Sequence, residues 1–269
     1  MTTSSLPLQR YAKYGREVRL EKKPPLDPGQ GCAGRTLQTF SGEVTIDSIL
    51  RIGHRGAAGH APENTLAAIW KARSFHADFV EIDLRETSDG HLVLLHDETI
   101  DRTTNKSGTL AELSLEQVQR LDAGNWQRIP TLEEALDISG KAMGVILELK
   151  VEGIGNEACA IVKRVGFSGP LIYASFLLAE LHRVRQADPA AQIMVLQHRH
   201  LPLDPVAEVV ALHASYVGLH YSTVTPALLQ TYHDLGKHVF AYTVNDPKDL
   251  RRMRELGVDG IVSDFPDRI

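Results

Sequence analysis

The chain has 269 residues, 43% of them hydrophobic, with a formal charge of −5 at neutral pH. That length suits one domain the size of a (β/α)8 barrel, about 250 residues, and leaves ample apolar material for a core. The acidic balance excludes a general nucleic-acid binder, which wants a basic face, but allows a phosphate ligand if a bound cation supplies the local positive field.

Cys32 and Cys159 match no zinc spacing or disulfide framework, and read as unpaired thiols of a reducing compartment. No apolar run approaches the roughly 18 residues of a membrane span. Met1-Thr2-Thr3-Ser4-Ser5 lacks a charged start leading into an apolar stretch. A soluble, cytoplasmic protein with no stable membrane anchor is expected.

Residues 1–48 stand apart as an N-terminal extension of unknown role. Lys22-Lys23-Pro24-Pro25 and Asp27-Pro28-Gly29-Gln30-Gly31 read as loop or linker. Val18-Arg19-Leu20 and Leu37 to Ile46 alternate weakly, suggesting two short strands. From 49 to 269 strand and helix patterns alternate. Leu50 to Gly53 is a strand, and residues 64–75 form a helix with Leu66, Ile69, Trp70 and Phe75 as its apolar stripe. Val80 to Leu84 and Leu92 to Leu95 are strands joined by the turn Ser88-Asp89-Gly90. Ser114 with Gln117, and Thr131 with Glu134, have capping-box spacing.

In the second half, Met143 to Leu149 is a strand and residues 156–165 a helix ending near Gly166. Leu171 to Ala174 is a strand, and Leu177 to Gln186 a helix stopped before Pro189. Gln192 to Leu196, Tyr216 to Leu219, His238 to Thr243 and Gly260 to Val262 are further strands. Helices opening on Pro226 and Pro247 have proline in the first turn, where it is tolerated. Strands alternating with helices imply a parallel sheet. With Leu92 to Leu95 counted as a small hairpin insertion after the second strand, eight strand starts remain, which implies a closed (β/α)8 TIM barrel. A doubly wound sheet is the runner-up, but no glycine-rich dinucleotide loop follows the first strand.

Glu81 and Asp83 alternate on one strand and therefore share a face. Two acids pointing together into a barrel mouth need a cation between them. His54 and His96 each follow an apolar strand, and imidazole is the side chain that gains and loses a proton near neutrality. The other ten histidines read as structural or surface groups, with His220 intermediate because it too sits at a strand end.

The order Gly53-His54-Arg55-Gly56, Pro62-Glu63-Asn64-Thr65, Glu81-Ile82-Asp83 and His96-Asp97 resembles the glycerophosphodiester phosphodiesterase family. Pro130 to Leu136, Leu147-Glu148-Leu149-Lys150, Thr243-Val244-Asn245 and Gly257 to Ile261 extend the resemblance to the end of the chain. It implies a metal site of Glu81, Asp83 and Glu148. At about 4 Å and an effective dielectric near 20, each like-charge pair of such a cluster costs about 4 kcal/mol, so a metal, protons, or Lys150 and Arg55 must neutralise it. An all-oxygen set favours Mg²⁺, Ca²⁺ or Mn²⁺ over zinc. The resemblance further implies His54 and His96 as the catalytic acid–base pair, and Arg55 and Lys150 as phosphate-binding cations, Arg55 as a bidentate donor. Glu63 and Asn64 would orient the first loop as caps of the following helix. Tyr242 stands where the family often has Trp and would wall the substrate's alcohol moiety; Leu177 stands where a polar residue is the habit.

The expected activity is metal-dependent hydrolysis of small-molecule diesters, such as glycerophosphocholine or glycerophosphoethanolamine, to glycerol 3-phosphate and an alcohol. The alternatives are a phospholipase-type barrel acting on intact or lyso-lipids, and a phosphate-ester-binding barrel without catalysis.

Overall fold

A computed structural model describes residues 35–39, 42–46 and 49–269. Strands β1 (Arg35–Thr39) and β2 (Gly42–Ile46) form a two-stranded antiparallel sheet. Both strands thus come from the stretch read as the second of two, while Val18-Arg19-Leu20 lies outside the described residues.

Eight parallel strands then build the barrel: β3 (Leu50–Gly53), β4 (Phe79–Glu86), β6 (Gly144–Leu149), β7 (Leu171–Ser175), β8 (Ile193–Gln197), β9 (Tyr216–His220), β10 (His238–Tyr242) and β11 (Gly260–Ser263). They pair in that circular order, and β11 closes on β3 from Gly260↔Leu50 to Ser263↔Gly53. Strand β5 (Leu92–Leu94) is the expected appendage, antiparallel to the far end of β4. Helices α1 (Leu66–Ser74), α3 (Leu132–Ser139), α4 (Gly155–Val165), α5 (Leu178–Ala187), α6 (Ala207–Ala211), α7 (Pro226–Asp234) and α8 (Pro247–Leu256) fill the crossovers, with the single turn α2 (Leu115–Val118) inside the insertion. Five residues are too few for a helical period to emerge, so α6 is not legible in the sequence. Ser114 and Thr131 make the reciprocal capping boxes their spacing implies.

Strand alternation sorts the core into two shells. Ile52, Phe79, Ile146, Ile172, Met194, Tyr216, Phe240 and Val262 fill the interior. Their neighbours Val80, Ile82, Val145, Leu147 and Val217 face outward, packed under the helices. The interior is full: a Cβ on Gly144 would lie 2.3 Å from the Phe79 ring. A third cluster of Val93, Leu95, Ile100, Leu110, Val118, Ala123 and Ile129 forms a separate core beneath the segment between β5 and α3. The insertion is therefore larger than a hairpin and carries its own apolar support.

Because one methyl group overfills this layer, Gly144→Ala is expected to destabilise the barrel by about 1–3 kcal/mol. Denaturant unfolding checks it, and trimming the ring with Phe79→Leu in the same chain should recover part of the loss, giving a non-additive double-mutant cycle.

Candidate active site

Two residues beyond the interior core, towards the C-terminal strand ends, the same inward parity delivers polar groups. Glu81 and Asp83 follow Phe79, Glu148 follows Ile146, His54 follows Ile52, and Asp264 follows Val262. Glu81, Asp83 and Glu148 each offer a carboxylate oxygen, all within 4.8 Å of one another, the one such group among the described residues. Glu81 and Asp83 are buried, at 6% and 1% exposure. The backbone register explains the convergence, since Asp83 pairs directly with Glu148 across β4 and β6.

Two cations answer part of this charge. Lys150 Nζ donates to Glu148 Oε1 at 2.6 Å and lies 3.5 Å from Asp83 Oδ1. Arg55 Nε lies 3.2 Å from Asp83 Oδ2, and its NH1 donates to Glu63 Oε1 at 2.7 Å. Two of the three guanidinium nitrogens of Arg55 thus face carboxylates. Burial raises Asp83, but Lys150 and Arg55 outweigh it and hold the carboxyl below its ordinary range. Glu81 is left over. Burial, then the charges of Asp83 and Glu148, push it up to about 8. Its Oε2 accepts only the Arg55 backbone N–H at 2.9 Å, and its Oε1 is buried with no hydrogen-bond partner. An all-carboxylate cluster with one orphaned, inward oxygen is the donor set a hard divalent cation takes. These residues fit such an ion.

The loop after β3 is shaped to serve the cluster. Arg55 adopts φ 52°, a left-handed conformation uncommon for a non-glycine residue, and thereby turns its N–H onto Glu81. Gly56 follows at φ 87°, where a Cβ would meet Ala68 at 2.5 Å, so glycine is required twice over. Asn64, buried and at φ 55°, does not cap the next helix. Thr65 does that, accepting from Ala68 N–H. Asn64 instead donates through Nδ2 to Asp83 Oδ2 at 2.8 Å and accepts the Asp83 N–H at 3.1 Å. Glu63 likewise does not cap; it bridges arginines.

Each histidine is tethered at Nδ1 by an aspartate. His54 Nδ1 lies 2.6 Å from Asp264 Oδ1, and Asp264 Oδ2 accepts from Asn245 Nδ2 at 2.6 Å. Burial lowers His54, but the Asp264 hydrogen bond and the Glu81 charge raise it more, leaving it above its ordinary value. His96 Nδ1 lies 2.6 Å from Asp97 Oδ1, and burial holds it below its ordinary value. Asp97 in turn accepts from Arg102 Nε at 2.6 Å, while both terminal nitrogens of Arg102 donate to Glu63 at 2.7 Å. The chain His96–Asp97–Arg102–Glu63–Arg55 therefore ties the insertion to the β3 loop. Sequence reading gave no role to Asp264, Asn245 or Arg102. Asp264 has the inward parity of Val262 after the last strand, a signal that could have found it.

Opposite the histidines, Phe176, Leu196 and Tyr242 line an apolar cleft that opens onto His54, Glu81 and Glu148. The Tyr242 hydroxyl donates to the Gln197 carbonyl at 2.5 Å, which fixes the ring in the cleft wall. His220 is engaged with Ser222 and Arg199. Leu177 lines a second cavity on the far side of Lys150.

Comparison with known proteins agrees with this arrangement. Residues 54–268 match the glycerophosphoryl diester phosphodiesterase family. The protein YhdW of Bacillus subtilis (strain 168) is 36% identical over 231 residues, 81% of this chain and 95% of its own length. A glycerophosphodiester phosphodiesterase of Caldanaerobacter subterraneus subsp. tengcongensis is 35% identical over 233 residues, covering 82% and 96%. An Oleispira antarctica phosphodiesterase, solved in complex with the product sn-glycerol-3-phosphate, superposes with a TM-score of 0.75 at 31% identity, covering 81% of this chain and 94% of that one. With the site's geometry and these matches together, the chain belongs to the glycerophosphoryl diester phosphodiesterase family.

Proposed function

We propose that the chain hydrolyses water-soluble glycerophosphodiesters, such as glycerophosphocholine or glycerophosphoethanolamine, to glycerol 3-phosphate and an alcohol, using a divalent cation and two histidines. The observation that carries this reading is the orphaned Glu81 oxygen in a buried three-carboxylate cluster that Lys150 and Arg55 only partly balance. Glu81, Asp83 and Glu148 would hold Mg²⁺, Ca²⁺ or Mn²⁺, which when bound supplies positive charge to oxygens that become negative as the diester is attacked. Lys150 and Arg55 add charge beside the phosphoryl group, and Arg55 also fixes the acids it is paired with.

His54 has Nδ1 committed to Asp264, so Nε2 is the nitrogen left to accept a proton from the attacking oxygen. His96 has Nδ1 committed to Asp97, and its Nε2 would give a proton to the departing alkoxide. The carboxylates keep each ring in one tautomer and one orientation, as proton transfer demands. The apolar wall of Phe176 and Tyr242 excludes water from one half of the substrate. Among the described residues no helix is long and apolar enough to cross a membrane, in keeping with a soluble substrate. Every residue in these roles lies at or beyond position 54, within a barrel that begins at β3, so the catalytic unit is proposed as 49–269.

Four outcomes test this. Glu81→Ala, Asp83→Ala or Glu148→Ala should weaken metal affinity together with rate. His54→Ala and His96→Ala should leave metal titration intact while turnover falls about 10²–10⁴-fold; loss of metal binding on either histidine change would put that ring among the ligands instead. On a nitrophenyl ester, whose leaving anion needs no proton, His96→Ala should recover far more rate than His54→Ala; equal recovery would dissolve the acid–base assignment, and greater recovery of His54→Ala would reverse it. Deleting residues 1–40 should leave turnover intact, with any effect falling on thermal stability or assembly.

A further inference from the structure

Glu180, in the first turn of α5, is 0% exposed, the most deeply buried charged side chain among the described residues. Both its carboxylate oxygens are turned onto a neighbouring loop. Oε1 accepts the Gly153 N–H at 2.7 Å, and Oε2 accepts the Gly155 N–H at 2.8 Å. Its ion-pair partner, half-exposed Arg183, lies 3.4 Å away. The loop is shaped to receive it. Gly153 sits at φ 93°, in the region that favours glycine. Gly155 opens α4 where a Cβ would lie 3.0 Å from the Glu180 carbonyl oxygen and 3.2 Å from Oε2.

Ile154, at the N-cap of α4, makes no side-chain cap, so Glu180 satisfies the helix start from another helix. A serine at position 154 would do that without burying a charge. What the longer reach adds is a tie between the loop and α5. That loop begins at Lys150, whose ammonium is held by Glu148 and Asp83. The residue before Lys150 is tied from the same side. Ser175, fully buried, donates through Oγ to the Leu149 carbonyl at 2.7 Å and accepts the Leu177 N–H at 2.9 Å. One segment therefore pins the chain on both sides of Lys150, through Ser175 before it and Glu180 after it. The same segment supplies Phe176 to the apolar cleft.

We propose that Glu180 is a positioning residue for the hydrolysis: through the N–H groups of Gly153 and Gly155 it fixes the loop between β6 and α4, so that Lys150 keeps its ammonium at the Glu148 and Asp83 carboxylates. This rests on the phosphodiesterase reading above, in which that ammonium lies beside the phosphoryl group. Glu180 touches neither substrate nor metal ligand; it acts through Lys150.

The test uses the full metal-loaded chain with glycerophosphocholine as substrate, well below its unfolding temperature. Glu180→Gln keeps the side chain's size but sets an amide donor against one of the two N–H groups, so one tether is lost. kcat/KM should fall about 10- to 100-fold, the scale of a displacement of about 1 Å at a group set for catalysis. In a Lys150→Met background the same change should cost less than about twofold, because the group it places is gone. A readout independent of turnover is acetylation of Lys150 by N-hydroxysuccinimidyl acetate, followed by peptide mass spectrometry with exposed Lys248 as internal standard. It should quicken several-fold in Glu180→Gln. Gly155→Ala crowds the carboxylate from the loop side while replacing glycine with a better helix former. It should move both readouts the same way, and serves if the Gln variant does not fold. Equal losses of kcat/KM with and without Lys150, or an unchanged acetylation rate, would overturn the proposal and leave Glu180 as a cap of α4 alone. A wild-type chain that cleaves no diester, yet whose Lys150 becomes reactive in Glu180→Gln, would instead refute the phosphodiesterase reading and leave the tether standing.

Discussion

Like charges brought together inside a barrel mouth govern everything around them. Glu81, Asp83 and Glu148 lie within 4.8 Å of one another, and at such separations each repulsion is about 4 kcal/mol even at an effective dielectric near 20. Against a net stability of about 5–15 kcal/mol for a domain, the cluster persists only with neighbours that oppose it. Lys150, Arg55, the side chain of Asn64 and the strained N–H of Arg55 are those neighbours. Their distribution is uneven: Asp83 receives most of the support and Glu81 little, which is why the two carboxyls are driven in opposite directions. Glu81 is the carboxyl that these neighbours leave least balanced.

The second constraint is mechanical. His96 is carried by a segment outside the regular strand–helix alternation, and such a segment would be poorly placed without support. The satellite core around Ile100, Leu110 and Val118 gives it a rigid base. Arg102 then stitches it to Glu63 and so to the loop bearing His54 and Arg55. Two loops from different parts of the mouth thereby share one network, and a shift in either is felt by both.

The barrel was legible because period-2 strands and 3.6-period helices leave distinct marks, and because strand parity alone places His54, Glu81, Asp83 and Glu148 on one surface. Pairing across long sequence distances left no such mark. Asn64 acts on Asp83 nineteen positions on, and the sequence suggested a local cap because capping is the nearest use for an asparagine there. Asp264 meets His54 across 210 positions, visible only after the last strand is docked on the first. The carboxylate partners of Arg55 could not be assigned from spacing. The true extent of the insertion was hidden because its apolar residues follow no regular period.

The closing seam has a temporal consequence. Strand β3 is the first strand of the barrel to be made and β11 the last, yet they are hydrogen-bonded neighbours, and the residue that follows β11 holds the ring of the residue that follows β3. A nascent chain that has not emerged past Asp264 has an open sheet, an exposed strand edge and an untethered His54. Topological closure and the tethering of the His54 ring therefore arrive in the same event.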